Sequence, residues 1–180
     1  TMDKVTIAQI EGRVGGGGSE FASSMDMRFG VKGKTVINQM EVPIGILPGG
    51  SGTQRLPRLM GMGRAMEVIF GGGDLDAETA EKWGYLNRIF DASEIHAGVQ
   101  SFSNRIAGFP QEAVRLAKAS VLASELPIEQ GLREEAYLFQ KLLRTTDAQS
   151  QMRQFLEYGG QTREGELRVG ELSGELKIKE

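Results

Sequence analysis

Glu20 is the first residue in this sequence placed to do chemistry. It closes the run Gly12-Arg13-Val14-Gly15-Gly16-Gly17-Gly18-Ser19-Glu20, so a carboxyl group follows closely on four consecutive glycines. A glycine run lets the backbone turn sharply and brings main-chain N–H groups close to a ligand, because no Cβ intervenes. Ahead of it, Val5-Thr6-Ile7-Ala8-Gln9-Ile10 is β-branched and apolar, which predicts a buried strand. Behind it, Phe21-Ala22-Ser23-Ser24-Met25 predicts a helix. The N–H groups between strand and helix then sit at a helix N-terminus, where free donors and the dipole favour negative charge. The pattern sets a carboxyl group beside an oxyanion-type pocket. By composition alone, four glycines and a serine also make a flexible linker. The flanks argue against that reading, since linkers rarely join a buried strand directly to an apolar helix.

A second stretch decides between the two. It runs Gln39-Met40-Glu41-Val42-Pro43-Ile44-Gly45-Ile46-Leu47-Pro48-Gly49-Gly50-Ser51-Gly52-Thr53-Gln54-Arg55-Leu56. Together the two stretches closely resemble the signature of the crotonase family, the enoyl-CoA hydratases and isomerases. That signature has a strand, a glycine run and a Glu. A second Glu follows in a Gln-Pro-Glu-x-x-x-Gly-x-x-Pro-Gly-x-Gly-Gly-Thr-Gln-Arg-Leu segment. Here Met40 stands for the usual Pro and Ser51 for a usual Gly, while Thr53-Gln54-Arg55-Leu56 is intact.

The resemblance implies a chemistry. A thioester-conjugated alkene reacts when its carbonyl oxygen can carry negative charge, and two backbone N–H donors stabilise that enolate. By the resemblance, Gly17 supplies one of them, from three positions before the first Glu. Hydration also needs a base for water and an acid for the α-carbon, jobs that two carboxyl groups can divide. The resemblance makes Glu20 the residue that holds and activates water and Glu41 the donor of the α-proton. The two are 21 positions apart, so only the fold can bring them together. Val42, Ile44 and Ile46 are expected to surround Glu41 with apolar groups. The implied reaction is syn addition of water to a 2-enoyl-CoA, with coenzyme A entering as part of the substrate and no separate cofactor or metal. Double-bond isomerisation and hydrolysis of acyl-CoAs are the alternatives within the family. A catalytically incompetent truncated homologue, acting as a binding or assembly module, is the alternative outside enzymes.

The elements that must position these residues follow from pattern and punctuation. The first helix should end near Asp26, with strands at Met27-Arg28-Phe29 and Thr35-Val36-Ile37 and a turn at Gly30 to Gly33. Glu41 falls on a loop closed by Pro43, Gly45 and Pro48. A helix is expected from Ser51 or Thr53 to Met60 or, because Pro57 lies inside, from Pro57 onward. Gly63 to Phe70 is a helix ended by Gly71-Gly72-Gly73. Asp76 caps Ala77 to Trp83, Gly84 stops it, and Tyr85 to Phe90 returns as a strand. Helices then fill Ser93–Ala107, Gln111–Leu122, Ile128–Leu143 and Asp147–Tyr158, with Pro110 and Pro127 at two boundaries. Leu132, Ala136, Phe139 and Leu143 form an apolar stripe that reads as core or subunit packing. Arg163 to Glu180, charged and punctuated by glycine, reads as a mobile tail or surface arm.

The fold class is therefore α/β: the C-terminal part of a crotonase-like ββα spiral, followed by a helical trimerisation region. Residues 1–92 form the partial spiral core with the active-site loops, 93–160 the C-terminal helices, and 161–180 the charged tail. The N-terminal turns of the family spiral, which carry the other oxyanion donor and much of the coenzyme A surface, have no counterpart. The chain as given is accordingly expected to be a poor hydratase. Its partners are an acyl-CoA substrate and copies of itself, as a homo-trimer or hexamer. A net charge of −3 gives no general attraction to nucleic acid or anionic lipid. No run suits a membrane span, and the absence of cysteine fits a reducing compartment, with a cytoplasmic setting expected and a mitochondrial or peroxisomal one the alternative. His96, the only histidine, reads as a surface residue, and no cluster has metal-ligand spacing. The Gly49–Arg55 run lacks the Lys-Ser/Thr of a phosphate-binding loop. Arg55 and Arg58 read as solvated surface charges.

Overall fold

A computed structural model describes residues 2–176 as two compact units: residues 6–100, and residues 101–176 together with residues 2–5. Two small sheets organise the first unit. Strand β1 (Ile7–Ile10) pairs in parallel with β3 (Met27–Val31), which pairs in parallel with β6 (Arg88–Phe90). Strand β2 (Arg13–Gly15) pairs in parallel with β4 (Val36–Asn38), and β4 pairs antiparallel with the short β5 (Leu75–Asp76). Helix α1 (Gly17–Ser23) follows β2, and α2 (Gly52–Met60) and α3 (Met62–Gly71) follow β4. Strand, strand, helix thus recurs as the turn of a spiral.

The break between β1 and β2 differs from a single strand feeding the glycine run. The chain leaves one sheet at Ile10 and joins the other at Arg13, with the Gly12 carbonyl accepting from the Val36 N–H at 3.2 Å. Thr35 ties the crossing together. Its hydroxyl donates to the Ile10 carbonyl at 2.5 Å and accepts from the Val31 N–H at 2.7 Å. Between the layers lies one apolar cluster that includes Ile10, Ile37, Leu56, Met60, Ile69, Leu75 and Leu86. Full burial of a side chain such as Ile37 or Leu56 contributes about 1.5–3 kcal/mol.

Two helix starts refine the sequence reading. Helix α1 begins at Gly17, inside the glycine run, so Glu20 lies in its first turn. Helix α2 begins at Gly52 and continues through Pro57. A proline there removes a helical N–H, at a cost of about 3 kcal/mol. Burial of Leu56 and Met60 on one side holds the helix together regardless. Asp76 caps α4 (Ala77–Trp83) as expected, accepting from the Thr79 N–H at 2.7 Å, and Gly84 ends it with φ 93°. Strand β6 begins at Arg88, later than expected, because Tyr85 and Leu86 turn into the core.

Helix α5 (Ile95–Ala107) begins in the first unit, and the second unit takes over from Ser101. There α6 (Gln111–Leu122) packs on α7 (Ile128–Leu143), and α7 on α8 (Thr146–Glu157). Pro110 and Pro127 stand at the N-caps of α6 and α7. On α7 the buried residue is Leu138, whereas Leu132 and Phe139 are more than half exposed, so the predicted stripe is not core in this chain. The tail is no loose arm over its described part. It forms α9 (Arg163–Leu167) and α10 (Val169–Glu175), Leu172 is fully buried, and Arg105 Nη2 donates to the Gly170 carbonyl at 2.6 Å. Residues 177–180 of the tail lie outside the described residues. Among the described residues no helix is long and apolar enough to cross a membrane.

Candidate active site

The pairing of β2 with β4 creates the site. Register places Gly15 opposite Asn38, and the Gly16 N–H donates to the Asn38 carbonyl at 3.0 Å. The residues that leave β4, Gln39 to Glu41, therefore emerge beside the start of α1. Gly16 is the N-cap of α1, with φ 53° and ψ −131°, a conformation that only glycine adopts without strain. A Cβ there would also lie 3.2 Å from Glu41 Oε1. Glycine is needed at this position both for backbone conformation and for close approach.

Glu20 and Glu41 are both buried, at 6% and 7% exposure. Glu20 Oε1 accepts from the Gly52 N–H at 2.7 Å. Gly52 is the first residue of α2, so the carboxylate takes one of the free donors of that helix end. The Gly49-Gly50-Ser51-Gly52 stretch leaves no room for larger residues. A Cβ on Gly50 would stand 2.7 Å from Glu20 Oε2, and one on Gly52 would stand 2.8 Å from the Pro48 Cβ.

Gln39 holds the second carboxylate. It is fully buried, and its Nε2 donates to Glu41 Oε2 at 3.3 Å. A Cβ on Gly52 would meet both Glu20 Oε1, at 3.0 Å, and Gln39 Nε2, at 3.1 Å. Glu20 and Gln39 therefore both close in on Gly52. Gln39 Oε1 is the single buried side-chain polar atom without a hydrogen-bond partner among the described residues. The sequence held Gln39 within the motif but gave it no role. Its signal was its place two residues before Glu41 at the end of a strand, which is legible only once that strand's partner is known.

Gly17, the first residue of α1, is exposed, and no described residue accepts a hydrogen bond from its N–H. A donor free at a helix N-terminus, one turn from a buried carboxylate, has the form of an oxyanion site. Val42, Ile44 and Ile46 do not enclose Glu41, however. All three are exposed, and Glu41 is buried against Gly16 and Gln39 instead. Together with Met40 and Leu47 they leave an apolar rim beside the carboxyl group. Arg55 and Arg58 are exposed, with Arg55 Nε donating to Ser51 Oγ and Arg58 Nη1 to the Gln54 carbonyl. His96 is exposed, and no cluster of described residues has the makings of a metal site.

The sequence model of the family described as enoyl-CoA hydratase/isomerase matches residues 1–164. A short-chain-enoyl-CoA hydratase from Clostridioides difficile is 39% identical over 145 residues, covering 80% of this chain and 92% of that protein. A crotonyl-CoA hydratase from Syntrophomonas wolfei is 35% identical over 157 residues, covering 87% of this chain and 60% of the relative. The crystal structure of an enoyl-CoA hydratase from Bacillus anthracis superposes with a TM-score of 0.79 at 30% identity, covering 82% of this chain and 57% of that one. The chain spans between 56% and 60% of the length of several curated relatives. A match this long, on a crotonase-like fold, makes the chain a member of the enoyl-CoA hydratase/isomerase family.

Proposed function

We propose that the protein adds water across the double bond of a 2-enoyl-CoA thioester. One observation carries the reading: two buried glutamates, Glu20 held by the Gly52 N–H and Glu41 by the Gln39 amide, flank a helix N-terminus whose Gly17 N–H is free. In the proposed reaction Glu20 takes a proton from water as the oxygen bonds to C3 of the alkene. The π electrons move toward the thioester, and the Gly17 N–H stabilises the resulting enolate oxygen. Glu41 delivers a proton to C2, and exchange with solvent restores both carboxyl groups. The apolar rim from Met40 to Leu47 suits an acyl group. Two carboxyl groups in one site favour hydration over an isomerase chemistry that needs only one. The chemistry uses no cofactor beyond the coenzyme A of the substrate. The reading extends to a homo-oligomer, supported by the exposed apolar face of α7, and to a cytoplasmic protein, supported by the absence of cysteine.

The test is hydration of crotonyl-CoA, followed by loss of the conjugated thioester absorbance, in the protein carrying this chain with any segment that precedes it. Glu20→Gln and Glu41→Gln are each expected to lower turnover by roughly 10²–10⁴-fold with the circular dichroism spectrum unchanged. Turnover within a few-fold of wild type in either variant removes that residue from the mechanism. A wild type that binds coenzyme A thioesters without converting them would instead mark a binding module.

A further inference from the structure

Behind α1, on the sheet side, lies a buried polar group that the proposed chemistry does not use. Tyr85 is fully buried, and its Oη donates to the Ser19 carbonyl at 3.0 Å and lies 3.0 Å from Ser19 Oγ. Ser19, also fully buried, immediately precedes Glu20. The tyrosine is itself held from β3. Arg28 Nε donates to the Tyr85 carbonyl at 2.6 Å, Arg28 Nη1 donates to the Met25 carbonyl at 2.6 Å, and the guanidinium sits 5.9 Å from the centre of the phenol ring. Burial pushes the Tyr85 hydroxyl above its usual range, so it stays a neutral donor. The hydroxyl comes with the tyrosine of Gly84-Tyr85-Leu86, just past the end of α4.

Helix α1 needs such an anchor. It has seven residues, two of its first three are Ser19's glycine neighbours Gly17 and Gly18, and its N-cap Gly16 has no side chain to cap with. Glycine in a helix costs about 1 kcal/mol relative to alanine and leaves the turn conformationally loose. The Gly52 N–H fixes the carboxylate end of Glu20. Its backbone is held within the helix, the Glu20 N–H donating to the Gly16 carbonyl and the Ser23 and Ser24 hydroxyls to the Glu20 carbonyl. Tyr85 holds this glycine-rich turn from outside the helix, fixing the carboxylate and the Gly17 N–H relative to each other. We infer that Tyr85 is a positioning residue for Glu20, acting through its hydrogen bonds to Ser19. The inference rests on Glu20 being the residue that activates water.

Tyr85→Phe keeps the ring and removes only the hydroxyl. It leaves the buried Ser19 hydroxyl short of a partner, so the double variant Ser19→Ala/Tyr85→Phe removes that complication. The first readout is hydrogen exchange at the Gly52 amide, followed by NMR and referenced to the core amide of Ile37 in the same sample. This amide reports directly on whether Glu20 Oε1 is in place. The second readout is kcat and KM for crotonyl-CoA. Loss of the anchor is expected to speed Gly52 exchange about tenfold in both variants, and to lower kcat about tenfold with KM within about twofold. Adding Tyr85→Phe to Glu20→Gln is expected to lower kcat no further. Unchanged Gly52 exchange in folded Tyr85→Phe overturns the inference. Recovery of wild-type exchange in the double variant does so too, since Tyr85 would then only satisfy Ser19. A wild type that does not hydrate crotonyl-CoA defeats the functional reading alone, and Gly52 exchange still decides the role of Tyr85.

Discussion

Gly17 is the first helical residue of α1, and a Cβ placed on it would meet no atom within 4 Å. Proline is well tolerated at a first helical position, where the missing N–H has no helical partner to lose. Gly17→Pro therefore tests the oxyanion assignment with little structural cost. It is expected to lower kcat for crotonyl-CoA by roughly 10²–10³-fold while the thermal midpoint stays near wild type. An active Gly17→Pro enzyme would place the donor elsewhere. Ser51 offers the opposite kind of test. It adopts φ 95°, the one left-handed conformation of a non-glycine residue among the described residues, at a position where the family pattern has glycine. Relief of that strain, about 1–2 kcal/mol, outweighs the added chain entropy of glycine and the loss of the exposed contact from Arg55. Ser51→Gly should stabilise the protein by about 0.5–1 kcal/mol in urea denaturation, and a destabilised variant would show that the Arg55 contact matters more. Glu20, Glu41 and Gly17 stand out in the sequence because their motifs are long and local, and the roles proposed for them rest on the variants above. Gln39 and the close approach of Gly16 to Glu41 do not stand out, because both depend on which strand lies beside β2.

At the scale of elements, punctuation was read well and continuity less well. Asp76, Gly84, Pro110 and Pro127 fix their helix boundaries through local backbone chemistry, and all four hold those positions. Helix α1 starts among glycines because burial of Ser19, Glu20, Ala22 and Ser23 overrides their poor propensity. Propensity also misreads the tail, where Thr162 caps α9 by accepting from the Gly165 N–H at 3.0 Å. The cap of α4 has a measurable pH signature. The Thr79 N–H holds the Asp76 carboxyl below its usual value of 3.8. A depressed carboxyl stabilises the fold above its unfolded value, and that contribution is lost as pH falls through the folded value. Asparagine caps as well as aspartate but does not titrate. Asp76→Asn should thus lie close to wild type in urea at pH 7 and become the more stable of the two as pH falls below 3.8 and on through the depressed folded value of Asp76. Parallel stability curves down to pH 2 would remove Asp76 from the acid sensitivity of the fold.

For the molecule as a whole, the surface that matters is the one left uncovered. Strand β1 ends one sheet and β2 the other, so each has an open edge among the described residues. Helix α7 carries Ile128, Leu132 and Phe139 at 74%, 54% and 57% exposure, spaced to share much of one face. Isolated exposed apolar residues are ordinary, but a row of large ones along a helix marks an association surface. The open edges invite association too, through backbone pairing that side-chain charge on α7 would not affect. The two routes are separable. If α7 is the interface, burying each large side chain contributes about 1.5–3 kcal/mol, so losing two weakens association by more than about tenfold. The purified chain is expected to scatter light as an oligomer, and the double variant Leu132→Glu/Phe139→Glu as a smaller species with unchanged helix content. An oligomer that survives the double variant would move the interface to the sheet edges. A wild-type chain that remains monomeric would show that the exposed face of α7 needs no copy of itself to cover it.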